Sequence, residues 1–190
     1  MLTPPFKDDK LDPGYIKKYP AGVRENGGQY THSSIWLIMA FAKMGYLTEA
    51  VKYLEMINPI THTENIEKVK KYKIEPYVIA GDVYTNKFMT GRGGWSWYTG
   101  SSSWYYKVCL ENILGLKKRG NKLYLPENIP ENWECFEIQY RNETNLYNIK
   151  VERKADNPKK REIFHNGIKI EKNYIELKND NKIENLEIKL

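Results

Sequence analysis

The chain changes its pattern of hydrophobic and polar positions near residue 120. Before that point the apolar residues fall into runs typical of helices, whereas after it they alternate with polar residues as in half-buried strands. The first run is capped by Ser33 or Ser34 and ends at Gly45, and the second begins at Thr48 and stops at Asn58. The first run is apolar on nearly every side, so we expect its helix to be buried on most faces.

Two more helices are predicted before residue 120. One begins at Pro76, an allowed first-turn proline, and covers Y-V-I-A-G-D-V-Y; the other is capped by the serines at 101–103 and covers W-Y-Y-K-V-C-L-E-N-I-L-G-L. Residues 59–75 are expected to form a polar connection with one turn. Prolines and glycines are too frequent in residues 1–32 for a long helix or strand, which indicates a functional loop or a piece of a longer protein.

The later part of the chain predicts strands. Apolar and polar residues alternate in four segments: 136–140, 147–151, 175–177 and 186–190. Asn166-Gly167, between E-I-F-H and I-K-I, is a typical two-residue hairpin turn. We therefore expect an α+β protein, with helices in residues 1–120, an antiparallel sheet or sandwich layer in residues 121–190, and a boundary within the polar stretch 117–130.

Two loops rich in polar and aromatic residues each lie directly ahead of a predicted helix. They are G-V-R-E-N-G-G-Q-Y-T-H-S-S-I-W at 22–36 and G-R-G-G-W-S-W-Y-T-G-S-S-S-W at 91–104. Their many hydrogen-bond donors, and glycines that permit close approach of the backbone, suit a bound ligand. We interpret the two loops as closing together on one small ligand, an anion beside a sugar.

Within these loops, His32 and the segment Tyr98-Thr99-Gly100-Ser101 are the candidates for anion binding. A histidine just before a helix can donate to an anion, and so can a hydroxyl and a bare glycine amide at a helix N-terminus. The alternatives are a histidine that only ties its loop to the helix, and an ordinary helix cap. The tryptophans at 95, 97 and 104 suit either a surface for a sugar or a core.

A pair of catalytic carboxylates is not evident, although a glycosidase needs two that flank the bond. Glu25, Glu75 and Asp82 are the acids near the loops, with Glu75 expected at a helix start and Asp82 inside that helix. His62, expected to be structural or exposed, and His165, expected to be solvated, have no second ligand at metal spacing. Because the chain has no P-loop, dinucleotide fingerprint, zinc spacing or nucleophile elbow, we expect no metal and no organic cofactor.

Composition narrows the class of protein only a little. Two cysteines without metal spacing, and no apolar run near the roughly 20 residues that cross a bilayer, indicate a cytoplasmic protein without a membrane span. The net charge of +6 hints at an anionic partner, but much of the lysine lies among glutamates in the C-terminal third, as on a solvated face. The predicted strands lack an aromatic and basic pattern for stacking bases, so nucleic-acid binding is not favoured.

Three separated motifs, in the right order, resemble the C-terminal part of the glycoside hydrolase family 94 phosphorylases. They are V-R-E-N-G-G-Q-Y-T-H, Y-K-I-E-P-Y-V-I-A-G-D-V-Y and G-R-G-G-W-S-W-Y-T-G-S-S-S-W. The opening L-T-P-P-F and P-G-Y-I-K-K-Y-P are most similar to the β-1,2-glucan branch of that family. The resemblance covers roughly residues 2 to 140, and residues 141–190 carry little of it.

The resemblance implies an (α/α)₆ barrel followed by a small β-sandwich, of which this chain would hold the last helices and the sandwich segment. It implies inverting phosphorolysis of a β-glucoside, in which inorganic phosphate is a co-substrate and attacks the anomeric carbon to release α-glucose 1-phosphate. By position, His32, Thr99 and Gly100 match the family's phosphate-binding residues. Glu25 matches a residue that binds the acceptor sugar, and Tyr30 and Trp97 lie beside these in the sequence.

One departure from the family pattern concerns the proton donor. The family's general acid is an aspartate well upstream of the matched loops, and residues 1–21 contain nothing like its motif. We therefore expect a fragment that is inactive alone and pairs, through exposed apolar faces, with the remainder of the barrel. The alternative is a non-catalytic carbohydrate-binding module. A β-glucan oligosaccharide and phosphate are the expected ligands.

Overall fold

The computed structural model describes residues 4–6, 12–97, 99–154 and 161–190 and has an α+β architecture, with its α-helices before residue 109 and most of its strands after residue 116. The chain divides into two compact units. The first unit is Met1–Met44 with Glu49–Val108, and the second is Gly45–Thr48 with Cys109–Leu190. Of the sequence motifs quoted above, the leucine and threonine of L-T-P-P-F and the tyrosine at 98 lie outside the described residues.

Four α-helices form in the first part of the described chain. They are α1 (Thr31–Lys43), α2 (Leu47–Met56), α3 (Ile66–Tyr72) and α4 (Ser101–Val108), with 3₁₀ turns at Gly14–Lys18 and Thr61–Thr63. No helix of the described residues is both long and apolar enough to cross a membrane.

Helix α1 is present, but its predicted cap and its predicted burial are both wrong. The helix begins at Thr31 after Tyr30, so Ser33 and Ser34 lie in its first turn, where their hydroxyls donate to the carbonyl oxygen of Tyr30 at 2.9 and 3.1 Å. Ile35 and Ile38 are buried, whereas Trp36 is 51% exposed and Leu37 53%. The expectation of burial on most faces is therefore wrong, because only the face that carries the isoleucines is buried, while Trp36 stays half exposed although its ring contacts Trp104.

The prediction of a helix that begins at Pro76 is wrong, and a helix lies before that residue in the chain instead. Helix α3 begins after Asn65, whose side chain accepts a hydrogen bond from the amide of Lys68 at 2.9 Å, and ends at Tyr72, which is followed by Lys73 with a φ of 57°. The span predicted as helical ends in strand β2 (Asp82–Val83) instead. The backbone of this span forms hydrogen bonds with other segments. The carbonyl of Gly81, for example, accepts from the amide of Thr31 at 3.0 Å.

The predicted helix after residue 100 is present, with a change of winding at its end. Helix α4 ends at Val108, and Cys109–Ile113 continue as a π-helix. Gly115 follows with a φ of 73°, and a Cβ there would lie 2.9 Å from the Cα of Pro126. The close approach of Pro126 and the left-handed backbone together require glycine at this position.

The second unit is built from two sheets. Their strands are β3 (Lys117–Arg119), β4 (Lys122–Tyr124), β5 (Cys135–Asn142), β6 (Asn145–Glu152), β7 (Glu162–His165), β8 (Ile168–Ile170), β9 (Tyr174–Glu176) and β10 (Ile183–Lys189). The five-stranded sheet has the order β5-β6-β10-β7-β8, and the three-stranded sheet has the order β3-β4-β9. The remaining strand, β1 (Gln29–Tyr30), pairs with β2 in the first unit.

Two features of these sheets differ from the expectation. Strand β10 runs parallel to β6, with Leu186 opposite Ile149, so the large sheet is mixed and not purely antiparallel. The reason is the insertion of the β7–β8 hairpin and β9 between the two strands, which brings β10 back in the direction of β6. The stretch interpreted as a boundary also folds, because Gly120-Asn121 forms the turn of the β3–β4 hairpin.

The core of the second unit follows the alternation seen in the sequence. Tyr147, Ile149 and Val151 of β6 and Leu186 and Ile188 of β10 are each 1% exposed or less. The hydroxyl of Tyr147 accepts a hydrogen bond from the amide of Lys178 at 3.0 Å, so its polar end is satisfied. This packing is what the period of two predicts for strands with one buried face.

Candidate functional site

The loop ahead of α1 is fixed by one buried amide side chain. Asn26 is 1% exposed, and its Nδ2 donates to the carbonyls of Phe6 and Tyr19 at 3.3 and 2.7 Å. Its Oδ1 accepts from the amide of Phe6 at 2.7 Å, and the amide of Gly22 donates to its carbonyl at 2.8 Å. A loop without regular structure thereby satisfies its buried backbone groups.

Asp82 joins the two polar loops. Its side chain is buried, Oδ2 accepts from the amide of Arg24 at 2.9 Å, and Oδ1 accepts from the amide of Trp95 at 3.3 Å. Gly94 lies against this carboxylate, since a Cβ there would come within 2.2 Å of Oδ1. Asp82 is thus a buried acceptor, although in strand β2 and not in a helix, and it connects the two loops through hydrogen bonds to both.

Strand pairing brings the beginning of α1 to the same place. Tyr30 of β1 lies opposite Asp82 of β2, and the amide of Thr31, the first residue of α1, donates to the carbonyl of Gly81 at 3.0 Å. The amide of Gly81 in turn donates to the carbonyl of Trp95. The first turn of α1 is therefore positioned by the second polar loop.

His32 lies beside Gly100, at the place where the two loops lead into α1 and α4. A Cβ built on Gly100 would be 4.0 Å from Cε1 of His32, and no closer atom is found. The imidazole also lies edge-to-face on Trp36, with ring centroids 4.8 Å apart, and 6.2 Å from Trp104. The two helix N-termini and the histidine thus lie close together.

Nε2 of His32 is buried, yet it has no hydrogen-bond partner among the described residues. A buried imidazole nitrogen without a partner costs free energy, so such groups in native proteins usually face a ligand or a water. Gly100 is exposed and has open space around it. No packing contact in the described chain therefore explains why this position is glycine.

Thr99 caps α4 with its hydroxyl. Its Oγ1 lies 2.5 Å from Oγ of Ser101 and accepts from the Ser101 amide at 3.2 Å, while Ser101 itself is fully buried. The carbonyl of Thr99 accepts from the hydroxyl of Ser102 at 3.0 Å. Thr99 therefore makes the hydrogen bonds of an ordinary helix cap, and the amide of Gly100 lies at the N-terminal end of the helix.

Glu25 lies in a second cluster with Arg24. The Glu25 side chain is 16% exposed, and its Oε2 lies 3.7 Å from Nε of Arg24, too far for a hydrogen bond. The guanidinium carbon of Arg24 lies 5.2 Å from the ring centroid of Tyr19 and 5.8 Å from that of Trp95. Partial burial opposes the charge of Arg24, but Tyr19, Tyr30 and Glu25 raise its pKa above the ordinary value. Glu25 and Tyr30 thus meet around one arginine.

Trp97 is exposed but held in place. Its φ is 67°, a left-handed conformation that is rare for a bulky residue. Its indole N–H donates to Oε1 of Glu75 at 2.9 Å, and its ring meets that of Tyr77 edge-to-face at 6.3 Å. That hydrogen bond is the main reason that the pKa of the Glu75 carboxyl lies below its usual range. Glu75 therefore fixes a tryptophan, and the expectation that it begins a helix is wrong.

The other histidines have internal partners. Nε2 of His62 bonds the carbonyl of Met56 at 2.8 Å, and the ring stacks on Tyr72. His165 was expected to be solvated, but its Nε2 lies 2.8 Å from the buried carboxylate of Glu184. Within the described ranges, no group of three or more histidine, cysteine or acidic side chains could hold a metal ion.

Several residues of this site were not singled out from the sequence. Arg24 organises the cluster around Glu25, and Trp36 contacts His32 beside Trp104, which the sequence suggested only as part of a sugar surface or a core. The spacing of His32 and Trp36, four residues apart at a helix start, is the signal that could have indicated a shared face. Nothing in the sequence pattern indicates that Asp82 connects the loops, because its partners are backbone amides.

Comparison with known proteins supports the resemblance. The family model described as the glycosyl hydrolase 94 superfamily, catalytic domain, matches residues 1–115. The chain is 44% identical, over 153 residues, to cyclic beta-(1,2)-glucan synthase NdvB of Rhizobium meliloti (strain 1021), covering 80% of this chain and 5% of that protein. It is 30% identical over 156 residues to N,N'-diacetylchitobiose phosphorylase of Vibrio proteolyticus, covering 80% of this chain and 19% of the relative.

A more distant relative is the cellobionic acid phosphorylase of Neurospora crassa, which is 23% identical over 155 residues, covering 80% of this chain and 20% of the relative. The chain thus spans about a fifth or less of the length of these relatives. The expected kinship is confirmed, and the chain belongs to the glycosyl hydrolase 94 superfamily.

Proposed function

We propose that this chain forms the phosphate-binding and acceptor-sugar part of an inverting β-glucoside phosphorylase. Phosphate would bind between His32, Thr99 and Gly100, and the sugar would bind beside Glu25, Tyr30 and Trp97. In the reaction, a phosphate oxygen attacks the anomeric carbon, the glycosidic bond breaks, and the leaving oxygen takes a proton from a carboxylic acid. The products are α-glucose 1-phosphate and the shortened glucan.

The observation that carries the proposal is the approach of His32 to Gly100. The imidazole offers a buried Nε2 without a partner, and the neighbouring glycine is open and exposed. The amides of Thr31 and Ser101, the first in α1 and α4, already donate to Gly81 and Thr99. The donors left for a ligand are therefore the His32 imidazole and the Gly100 amide, and both helix dipoles place partial positive charge beside them. An anion with several acceptor oxygens suits this group of donors.

Asp82 and Glu75 are engaged in other contacts and Glu25 is assigned here to the acceptor sugar, so we propose that the general acid comes from a part of the enzyme outside this chain. Asp82 accepts two backbone amides and Glu75 accepts the indole N–H of Trp97, whereas Oε2 of Glu25 is buried without a hydrogen-bond partner among the described residues. No base is required in such a reaction, because phosphate is itself an anionic nucleophile. The isolated chain should therefore bind ligands without turning them over.

The helices would then be the last ones of an (α/α)₆ barrel, with the sheets as the cap that follows it. The exposed apolar residues Trp36 and Leu37 on α1 support this arrangement, since they form a face that is about half exposed, although Trp36 contacts His32 and Trp104. The remainder of the barrel, whether in the same or a separate polypeptide, would cover it. The homology to a cyclic glucan synthase favours a β-1,2-linked glucan over other β-glucans.

Calorimetry with orthophosphate tests the phosphate site. Replacing His32 by Asn removes the unpartnered nitrogen, and the loss of a hydrogen bond to a charged ligand should weaken binding by about 2 kcal/mol, roughly thirtyfold. The matched control is His62→Asn, which changes a histidine that bonds Met56 and stacks on Tyr72. Equal affinity for phosphate in the wild-type chain and the His32 variant would overturn the proposal.

A non-catalytic carbohydrate-binding role is the second candidate. The exposed rings of Tyr77, Trp95 and Trp97, which are 75%, 54% and 62% exposed, favour it because such rings stack on pyranoses. The two candidates differ in their use of phosphate. Titration with β-1,2-gluco-oligosaccharides should show tighter binding when phosphate is present if the phosphorylase role is right, and no change if the module role is right.

A further inference from the structure

A basic depression lies at the end of α3, formed by residues for which the proposed phosphorylase site has no use. It has a volume of about 310 Å³ and is lined by Lys70, Lys71, Lys73, Lys87 and Arg92, together with the loop between the last two. No carboxylate lines it, and none of these five cations forms an ion pair with the described acids. The net charge of the chain is +6, so a large share of its excess positive charge lies here.

The walls of the depression are tied together by backbone hydrogen bonds. The amide of Gly93 donates to the carbonyl of Tyr72 at 2.8 Å, which joins the end of α3 to the second wall. Gly91 has a φ of 87°, a left-handed conformation that favours glycine, and the flexible end of the Lys71 side chain lies against it. The backbone positions that carry the cations of the two walls are therefore set by the fold.

The loop that carries Lys87 and Arg92 is itself ordered around Asn86. Its Oδ1 accepts from the amide of Phe88 at 3.1 Å, and its carbonyl accepts from the hydroxyl of Thr90 at 2.8 Å and the amide of Met89 at 2.9 Å. The amide of Arg92 closes a further turn onto the carbonyl of Met89 at 3.0 Å. The loop thus presents its charges from a hydrogen-bonded scaffold.

Helix capping accounts for only part of this charge. Lys70 and Lys71 lie in the last turn of α3, where a cation complements the helix dipole by about 0.3–1 kcal/mol. Lys73 follows the helix, and Lys87 and Arg92 are on a different segment, so the dipole gives no reason for them. The carbonyls of Val69 and Tyr72 at this helix end already accept from Lys73 and Gly93, so they do not compete with an anion for the lysines.

We propose that this depression binds a compact polyphosphate, a ligand with several negative charges within a few ångströms. Lysine ammonium groups bind phosphates as point charges, and several of them around one concavity favour a multivalent anion over a single orthophosphate. The ring of Phe88, 82% exposed at the rim with the Lys87 ammonium 4.9 Å from its centroid, is available to stack on a base. Inorganic tripolyphosphate and a nucleoside triphosphate share the required chemistry. The inference does not depend on the proposed phosphorylase function.

Calorimetry of the whole chain at fixed ionic strength tests the inference, with sodium tripolyphosphate as the probe. The site variant carries Lys73→Gln, Lys87→Gln and Arg92→Gln. The control variant carries Lys17→Gln, Lys18→Gln and Lys52→Gln, which are exposed lysines outside the depression. Since both variants lose three charges, both reduce the net charge from +6 to +3.

The wild-type chain should bind tripolyphosphate at least about tenfold more tightly than orthophosphate, the site variant should lose about tenfold, and the control less than about twofold. Equal losses in both variants would mean a non-specific charge effect and would overturn the inference. His32→Asn should leave tripolyphosphate binding unchanged, so this experiment tests the depression independently of the proposed phosphate site at His32.

Adenosine triphosphate distinguishes the two sources of the ligand. Affinity equal to that of tripolyphosphate would mean that the phosphate chain alone is bound, whereas tighter binding that Phe88→Ala removes would mean that the base stacks on the ring. Both results support a polyphosphate site. Tighter binding of a single-stranded oligonucleotide than of tripolyphosphate, at equal phosphate concentration, would contradict it in favour of a nucleic-acid surface.

Discussion

The two units of this chain satisfy their buried polar groups in different ways. In the second unit the strands pair with one another along their lengths, and alternate side chains such as Ile149 and Ile188 form the core. In the first unit, long irregular segments depend on individual side chains, among which Asn26 and Asp82 bond the backbone of distant residues. Of the buried side-chain atoms without a partner among the described residues, Nε2 of His32 and Oε2 of Glu25 lie in the first unit and Nε of Arg161 lies in the second, so the first unit holds the pair that a ligand at the two loops can use.

The largest expected effect is on the free energy of unfolding, and it tests which apolar side chains stabilise the fold by packing. Ile188→Ala in β10 removes a fully buried side chain and should lower the free energy of unfolding of the second unit by about 3–4 kcal/mol. Leu37→Ala on the exposed face of α1 should change stability by less than about 0.5 kcal/mol. Hydrogen exchange followed by mass spectrometry measures both. A large cost at Leu37 would contradict the exposure of that face within this chain.

Substituting the buried acids Asp82 and Glu184 tests how much hydrogen bonds to a single side chain stabilise each unit. Asp82→Ala leaves the amides of Arg24 and Trp95 without their acceptor and should cost about 2–3 kcal/mol, confined to the first unit. The counterpart is Glu184→Ala, which frees His165 and Asn166 and should affect the second unit. Urea unfolding monitored residue by residue separates the two. Loss of both units together in either variant would mean that they do not unfold independently.

Two glycines distinguish structural from ligand-related positions. Gly22→Ala places a Cβ 2.4 Å from the amide nitrogen of Asn86 at a φ of 85°, and should destabilise the first unit by about 2 kcal/mol. Gly100→Ala meets open space and should cost less than about 1 kcal/mol of stability, yet weaken phosphate binding by about tenfold. Thermal unfolding and calorimetry give the two numbers. Unchanged phosphate affinity in Gly100→Ala would remove this residue from the site.

The smallest effect concerns the tryptophan held by Glu75. Glu75→Gln weakens the bond to the indole of Trp97, so the tryptophan emission should shift and become independent of pH at the acid end. The carboxyl pKa is lowered in the folded chain, so the contact is present above the ordinary value of 4.5 and is lost as pH falls through the lower folded value. The other tryptophans serve as the internal reference, since a Trp97→Phe variant reports their emission alone.

The sequence predicted the regular parts of this fold better than the irregular ones. The strands around Ile149 and Ile188 and the hairpin at Asn166-Gly167 were predicted, because alternation and turn chemistry are local signals. The parallel pairing of β10 with β6 was missed, because it depends on distant partners. The helix expected from Pro76 failed for the same reason: its residues pair with β1 and with the 93–95 segment, and tertiary hydrogen bonds override a local pattern.

For the candidate site, sequence motifs located the residues but not their neighbours. The resemblance pointed to His32, Thr99 and Gly100, whose common site remains a prediction although His32 lies near Gly100. The connection through Asp82 and the hold of Glu75 on Trp97 could not be predicted, because both depend on which backbone amide or indole a carboxylate meets in three dimensions. Hydrogen bonds of this kind, between residues distant in the chain, produce no periodic pattern in a sequence.

Nuclear magnetic resonance of the isotopically labelled chain during titration with orthophosphate tests whether His32 and Gly100 share one phosphate site. The imidazole nitrogens of His32 and the amide of Gly100 should shift together, with one common dissociation constant, and His32→Asn should remove the Gly100 response. Shifts that leave both residues unchanged, or that follow different dissociation constants at the two, would contradict a shared phosphate site.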